Sequence, residues 1–263
     1  MSKHLRIWLF VLLSTLLTST ALLAEGVITM TTSKAVGEKI KLRVEANGNV
    51  TIEGAQETGE TDGVNRKSYR LTSQTITIRG DVTELNCMTT QLTSLNVSGC
   101  ATLTELICDG NQLTSLDVSK NTALKKLDCS YNQLTSLDVS GCIALTSLWC
   151  FNNQLTSLDV SKNTALEELN CSNNQLTNLN ISGCARLNTL YCSSNCINGK
   201  AMTKLVNSLP NRRRKSSGII DLVNRSSKKR DRNRCSAADV TTAKKKNWKA
   251  YIPPAKTVCL PTR

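Results

Sequence analysis

The chain has 263 residues, of which 40% are apolar but only 3% aromatic, so it can bury a core that contains few large rings. Its 33 Lys and Arg against 20 Asp and Glu give a formal net charge of +13. The only histidine is His4, in a segment that we expect to be removed. A mature chain without imidazole is excluded from Ser-His-Asp and Cys-His catalysis and from histidine metal ligation.

Residues 1–24 are typical of a secretory signal peptide. Residues 1–6 give a positive start, residues 7–17 form an apolar run of 11 residues, and Ala21 or Ala24 supplies a small residue for cleavage. The run is shorter than the ~20 residues that a membrane-spanning helix needs. No later stretch is apolar enough to cross a bilayer. We therefore expect Sec-type export of a protein that is secreted or held at the outer surface.

Residues 25–84 predict a small β region. Residues 39–45 (KIKLRVE) and 75–79 (TITIR) alternate apolar and polar side chains, and glycines punctuate the stretch between them. The first unit of the repeat array that follows would otherwise expose its core and a strand edge. We therefore expect this region to cap the N-terminal end of the array.

Residues 85–199 repeat with a period of 21 and no insertion. Full units begin at Leu106, Leu127, Leu148 and Leu169, with a degenerate copy at Leu85 and a partial one at Leu190. Their apolar pattern, L-x-C-x-x-N-x-L-x-x-L-x-V-x-x-N/C-x-x-L, is typical of leucine-rich repeats, which place such a segment on a short parallel strand. The pattern predicts a mainly-β repeat solenoid, a right-handed superhelix whose units stack ~4.8 Å apart. We expect extended and turn structure on the convex side.

Three inward columns recur at the same period. The asparagine column, expected to bond the backbone of tight turns, comprises Asn111, Asn132, Asn153, Asn174 and Asn195. The mixed column comprises Cys100, Asn121, Cys142, Asn163 and Cys184. The cysteine column comprises Cys87, Cys108, Cys129, Cys150, Cys171 and Cys192. Although 12 cysteines in an exported protein usually suggest disulfides, parallel in-register thiols favour free, small apolar groups. The lack of C-x-x-C argues against zinc.

Residues 200–263 differ in charge from the rest of the chain. They carry 18 Lys and Arg against 3 Asp and Glu, a net +15, whereas residues 25–199 carry 13 against 17, a net −4. The spacing of apolar residues predicts a helix from residue 201 that ends at Pro210, and residues 218–223 (GIIDLV) predict a strand. Ser236 with Asp239 predicts a capped second helix, followed by a short strand. We expect an α/β C-terminal cap with basic clusters.

The Cys-containing 21-residue units, with NQLTSLDVSKNTAL and LDCSYNQ, resemble the secreted internalin-J-like leucine-rich-repeat proteins of Bacteroidetes, Porphyromonas in particular. The likeness covers residues 27–251, including the opening at 27–54 (VITMTTSKAVGEKIKLRVEANGNVTIEG) and residues 235–248 (CSAADVTTAKKKNW). The resemblance implies a surface or secreted binding protein used in adhesion or biofilm contact.

The outward columns of the strands vary where the core columns do not. One holds residues 107, 128, 149, 170 and 191, and the next holds residues 109, 130, 151, 172 and 193. The predicted ligand-binding residues of this concave face are Tyr131, Trp149, Phe151, Tyr191, Lys126, Asp128 and Glu168. Exposed aromatics on a rigid surface are typical of a protein-binding hot spot. The alternative is that the rings only stack on each other across units and stabilise the sheet.

Two other groups of charged residues suggest different functions. The basic C-terminal region could bind a polyanion such as glycosaminoglycan, lipopolysaccharide or nucleic acid, or it could form solvated loops. The residues predicted for polyanion binding are Arg212, Arg213, Arg214, Lys215, Lys228, Lys229 and Arg230. Asp117, Asp138 and Asp159 form an acidic column that could bridge a divalent cation, but hydrogen bonding to their own turns is the favoured interpretation.

The partner and cofactor predictions follow from these patterns. Nothing in the sequence marks a catalytic pocket, a nucleophile with its base, or a phosphate-binding loop. We expect a monomer without catalytic activity, cofactor or metal. Its predicted ligand is a protein on a host or bacterial surface.

Overall fold

The computed structural model describes residues 26–223 and 231–251, and the predicted signal peptide lies outside these ranges. The described chain is a mainly-β solenoid, as predicted. The strands are β1 Val27–Thr32, β2 Lys39–Ala46, β3 Thr51–Glu53, β4 Ala55–Thr61, β5 Lys67–Leu71, β6 Thr75–Arg79, β7 Val82–Asn86, β8 Leu92–Asn96, β9 Glu105–Ile107, β10 Lys126–Asp128, β11 Ser147–Trp149, β12 Ser157–Asp159, β13 Glu168–Asn170, β14 Asn178–Asn180, β15 Thr189–Tyr191, β16 Gly218–Asp221 and β17 Trp248–Tyr251. The helices are α1 Gly199–Ser208 and α2 Ala237–Lys245.

The N-terminal β region is joined to the repeats by strand pairing. Strand β2 pairs antiparallel with β7, so the hairpins of the N-terminal region continue directly into the parallel sheet of the repeats. On the opposite side, β1 pairs with β6 and with β8, which lies within the first repeat unit. The strands predicted at residues 39–45 and 75–79 are confirmed as β2 and β6. Both edges of the first unit are therefore paired.

The repeats form one parallel sheet without a register shift. The strands run in the order β7, β9, β10, β11, β13, β15, β16, β17, and each pair is aligned residue for residue. One inner column of this sheet comprises Leu85, Leu106, Leu127, Leu148, Leu169, Leu190 and Ile220. All are nearly or fully inaccessible to solvent because each leucine is covered by its neighbours above and below. The opposite side of the units consists of turns and extended chain. It includes the short parallel strands β12 and β14, which lie in two adjacent units.

The asparagine column binds successive units together, as predicted. Asn153 accepts a hydrogen bond at Oδ1 from the backbone N–H of Leu134 in the preceding unit, at 2.9 Å. Its Nδ2 donates to the carbonyl oxygens of Cys129, at 3.0 Å, and Cys150, at 3.2 Å. The other four members make the equivalent bonds. One buried amide thus satisfies three buried backbone groups in two adjacent units.

A sixth asparagine continues this column from outside the repeat. Asn233 accepts from the N–H of Ile197 at 2.8 Å and donates to the carbonyls of Cys192 and Leu222, both at 2.8 Å. These are the bonds that a further repeat unit would make, because Leu222 directly follows the strand β16 that pairs with β15. The C-terminal region therefore supplies the missing partner for the last repeat.

The cysteines of the described chain are free thiols. All members of the cysteine column are fully buried, and burial raises the pKa of Cys87 to about 12. In the mixed column, Cys142 donates from Sγ to the carbonyl of Val118 at 3.4 Å, whereas Asn121 donates to two carbonyls. The predicted interpretation as small core groups is confirmed, and the Cys/Asn alternation reflects a shared carbonyl-facing position.

These thiols are expected to resist alkylation in the folded protein. A thiolate is the reactive species, and both burial and a raised pKa suppress its formation. Maleimide at neutral pH should leave the cysteine and mixed columns unmodified in the native chain and modify them fully in denaturant, as read by peptide mass mapping. Cys196, which is only half-buried, serves as the internal reference. Rapid native labelling of Cys129 or Cys150 would contradict the buried column.

The C-terminal elements match the predicted α/β arrangement. Helix α1 buries Met202, Leu205 and Val206 against the solenoid, and Pro210 follows its end. Helix α2 begins with a capping box in which the Ser236 hydroxyl accepts from the N–H of Asp239, while the Asp239 carboxylate accepts from the N–H of Ser236. Neither helix of the described residues is both long and apolar enough to cross a membrane.

The burial of Arg212 contradicts its predicted role in polyanion binding. Its side chain is buried: Nη1 donates to the carbonyl of Leu187 and Nε to that of Ser216, both at 3.1 Å. The guanidinium carbon lies 5.9 Å from the ring centroid of Trp248, which is itself 2% exposed and donates to the carbonyl of Pro210. Arg212 is a structural residue of the C-terminal region because its charge satisfies buried carbonyls, so its assignment to polyanion binding is wrong.

Candidate functional site

The concave surface is built by the residues on either side of each inner leucine. Because the parallel strands are in register, outward side chains of neighbouring strands stand side by side about 4.8 Å apart. Asp128 of β10 is aligned with Trp149 of β11. Trp149 is 40% exposed and Tyr131 56% exposed, so both are among the exposed large hydrophobic side chains of the described chain. Tyr191 and Phe151 are half-buried.

Tyr131 and Phe151 form an aromatic contact across two units. Their ring centroids are 5.0 Å apart with an interplanar angle of 75°, an edge-to-face arrangement. The pair is positioned by the backbone, since the N–H of Tyr131 donates to the carbonyl of Phe151 at 3.0 Å. The alternative of stacking across units is therefore observed for this pair. This contact still leaves an aromatic side chain accessible to a partner, because Tyr131 stays largely exposed.

Three serines predicted to face outward are buried instead. Ser130, Ser172 and Ser193 are at most 8% exposed. The residue after each serine has a positive φ, 51° at Tyr131 and 54° at Asn173, so the chain turns sharply there. The turn ends the strand, so the period-2 alternation of side chains no longer applies at these serines.

Ion pairs occupy the column that precedes the inner leucines. Lys126 Nζ lies 3.5 Å from Glu105 Oε2, and Arg43 Nη2 lies 3.1 Å from Glu84 Oε2 and 3.8 Å from Glu105 Oε1. The predicted site residue Lys126 is thus paired with the unit before its own. Glu168 is half-buried in the same column, three units from Glu105 along the sheet.

Two aspartates of the concave face are partly removed from water. Burial is the main cause that raises the pKa of Asp128 and that of Asp109, and the charge of Asp128 raises the pKa of Asp109 further. Asp128 Oδ1 accepts from the N–H of Ser130 at 3.0 Å. The sequence placed Asp109 in an outward column but not among the site residues. Its distinguishing feature is its proximity to Asp128, which only the register of the strands reveals.

The acidic column on the opposite side has a structural role. Asp117, Asp138 and Asp159 each accept at Oδ1 from the N–H two residues ahead, at 2.9, 2.8 and 2.8 Å. These bonds lower the pKa of the carboxyls of Asp117 and Asp138, and at Asp159 the side chain of Ser161 is the largest cause. The turn interpretation is confirmed. In the ranges that the structure covers, no three acidic, cysteine or histidine side chains are grouped to hold a metal ion.

The remaining basic residues are divided between the surface and undescribed chain. Arg213, Arg214 and Lys215 are exposed, although Arg213 Nε donates to the carbonyl of Lys245 at 2.8 Å. Lys228, Lys229 and Arg230 lie outside the described residues. The structure therefore places three of the seven predicted polyanion residues on an accessible surface.

Comparison with protein families identifies the repeat. The model described as "Leucine Rich repeats (2 copies)" matches residues 122–163, and the model described as "Leucine Rich Repeat" matches residues 165–187. The solenoid is a leucine-rich-repeat fold. Together the two matches cover the units in which the leucine, cysteine and asparagine columns are most regular. Comparison with curated proteins gives no match.

Solved structures of bacterial leucine-rich-repeat proteins are similar to this chain. The functional domain of InlJ from Listeria monocytogenes, described as including a cysteine ladder, is 28% identical, with a TM-score of 0.34 over 54% of this chain and 39% of that one. The internalin InlF of the same organism is 19% identical, with a TM-score of 0.45 over 58% and 42%. A leucine-rich-repeat protein of Leptospira interrogans is 23% identical, with a TM-score of 0.46 over 59% and 38%. The chain thus covers less than half the length of each.

Proposed function

We propose that this leucine-rich-repeat chain is an exported recognition protein that binds another protein through its concave face, in adhesion or biofilm contact. Leucine-rich-repeat solenoids are suited to binding because stacked units produce an extended, rigid surface. The signal-peptide pattern of residues 1–24 supports export. The lack of histidine after His4 favours recognition over histidine-dependent catalysis.

The observation that carries this proposal is the group of aromatic side chains on the parallel sheet. We call Tyr131, Trp149 and Phe151 the aromatic patch. They come from adjacent units, and two of them are strongly exposed although apolar surface of this kind is costly to leave in water. Rigid aromatic rings are enriched among the residues that dominate binding free energy. The hydrogen-bonded backbone beneath them fixes their positions before a partner arrives.

Polyanion binding by the C-terminal region is the second candidate. Its support is the net +15 of residues 200–263 and the exposure of Arg213, Arg214 and Lys215. It is weakened because Arg212 and Trp248 are buried against each other, which removes one predicted contact and the nearest described ring that could stack on a base. We therefore favour the aromatic patch.

The two candidates are separated by paired variants of the mature chain. Surface proteins captured from host cells and from bacterial cells are quantified for the wild type, for Trp149→Ala/Phe151→Ala, and for Arg213→Ala/Arg214→Ala. We expect the aromatic variant to bind at least about tenfold more weakly and the arginine variant to bind normally. Circular dichroism and thermal melting verify that both variants remain folded.

Unchanged capture by the folded aromatic variant would overturn concave recognition. A loss confined to the arginine variant, together with retention on heparin that falls with added salt, would instead establish the polyanion candidate.

A further inference from the structure

The aromatic patch borders an acidic pair formed by Asp109 and Asp128. Asp128 is aligned with Trp149 on the next strand, and both side chains lie on the concave face of the sheet. Asp109 lies beside Asp128, since the N–H of the preceding residue, Cys108, donates to the carbonyl of Asp128 at 2.8 Å and the charge of Asp128 raises the pKa of Asp109. A carboxylate pair and an exposed indole thus lie side by side on three consecutive units.

Two cations that could pair with the acidic residues form ion pairs with other carboxylates. Lys126 is directed to Glu105, at 3.5 Å. Arg66 forms an ion pair with Asp62, at 3.0 Å, and donates to the carbonyl of Met88, at 2.8 Å. Arg66 lowers the pKa of Asp109, but this is the smallest of the effects that act on it. Within the two ranges that the structure covers, neither Asp109 nor Asp128 takes part in a salt bridge.

Two half-buried carboxylates without a cation are unfavourable in the free protein. Burial disfavours the charged form of each, which is why both pKa values are raised. A cation brought by a partner would lower the free energy of both carboxylates at once. The same cation could reach the ring of Trp149, which is aligned with Asp128 and whose quadrupole attracts positive charge.

We propose that the concave face recognises a protein segment through an arginine or lysine side chain, held by Asp109 and Asp128 and flanked by Trp149. This inference rests on the proposed function, because the acidic pair adjoins the aromatic patch. Arginine fits better than lysine, since its planar group can bond a carboxylate and lie against a ring at the same time. Selectivity for a cationic segment is notable in a chain whose formal net charge is +13.

Neutralising Asp128 should weaken binding of a cationic segment without lowering the thermal stability of the fold. In Asp128→Asn the amide oxygen can still accept from the N–H of Ser130, so the turn is retained. Because the folded pKa of Asp128 lies above its unfolded value, ionisation at neutral pH favours the unfolded state. Neutralising the residue should therefore leave the melting temperature unchanged or raise it. A purely structural aspartate would show the reverse.

The test uses a random dodecapeptide phage library selected on the immobilised mature chain. Peptides that bind are synthesised with a fluorescent label, and their affinities are measured by anisotropy. The variants are Asp109→Asn/Asp128→Asn, Trp149→Ala/Phe151→Ala, and the matched control Asp117→Asn/Asp138→Asn, which removes the same charge from the opposite side of the solenoid. We expect the selected peptides to be enriched in Arg and Lys over the input library.

The expected affinities follow from the proposed contacts. The concave acidic variant, Asp109→Asn/Asp128→Asn, should bind the peptides at least about tenfold more weakly than the wild type, and the affinity of the control should change by less than about twofold. The melting temperature of the concave acidic variant should equal or exceed that of the wild type. The selected peptides could lose affinity for Trp149→Ala/Phe151→Ala, contain no excess of Arg or Lys, and bind Asp109→Asn/Asp128→Asn as they bind the wild type. This result would overturn the inference and leave the proposed function intact. Peptides that depend on neither pair, or the selection of no peptide, would count against both.

Discussion

Replacing Asn153 by alanine should lower the free energy of unfolding by about 3 kcal/mol, because one buried N–H loses its acceptor at about 1–3 kcal/mol and two hydrogen bonds to buried carbonyls are lost at about 1 kcal/mol each. The N–H is that of Leu134. The carbonyls are those of Cys129 and Cys150, which keep one bond each from Asn132 and Asn174. Chemical denaturation followed by circular dichroism measures the change. The effect is large for one polar side chain because no water reaches these groups to replace the amide.

The matched control is Gln154→Ala, one residue along the same turn. The Gln154 side chain is exposed, and the bond that ties this residue to Leu134 is made by its backbone N–H, which alanine retains. We expect a change within about 0.5 kcal/mol. Similar decreases in the free energy of unfolding in the two variants would show that the hydrogen bonds of the Asn153 amide do not stabilise the fold as expected.

Asn233→Ala should destabilise the C-terminal region to a similar extent, by about 3 kcal/mol, since it removes the bonds to the N–H of Ile197 and to the carbonyls of Cys192 and Leu222. The Cys192 carbonyl keeps the bond from Asn195. The loss is expected to be local as well as global. Hydrogen exchange should become faster first in β16, β17 and α2, which lie beyond the last repeat, because neighbouring units of a solenoid open separately.

Arg234→Ala provides the comparison for Asn233. Arg234 is exposed, and its backbone N–H, which bonds the carbonyl of Ile197, is unaffected by the change. Its exchange profile should match that of the wild type. If Asn233→Ala also left the exchange of β16 unaltered, the proposed continuation of the asparagine column would be wrong.

The repeat region was predictable because its signal is periodic. A fixed spacing of 21 residues determines which leucine, cysteine and asparagine side chains share a column, and stacking then buries all three. Asn233 escaped this reasoning because it lies 38 residues after Asn195, with α1 and β16 between them. The role of Asn233 depends on its position in the folded chain, so the 21-residue period of the sequence does not reveal it.

The candidate site was predictable only in part. The variable outward columns predicted Trp149, Tyr131 and Phe151 as surface side chains, and the structure leaves Trp149 and Tyr131 exposed and Phe151 half-buried. Alternation failed one step later, at Ser130, because the turn that follows is a property of the φ angle at Tyr131 rather than of hydrophobic pattern. Arg212 was misassigned for another reason: charge composition identifies a basic cluster but does not tell which member is drawn inward to satisfy carbonyls.

The asparagine bonds run in one direction along the solenoid. Each unit obtains an acceptor for one of its amides from the unit that follows it, and Asn233 does the same for the final one. Gain or loss of a whole internal unit by duplication or deletion would keep every such pairing intact. A change of any other size would interrupt the chain of pairings. The parallel sheet can therefore lengthen or shorten only by whole units of 21 residues.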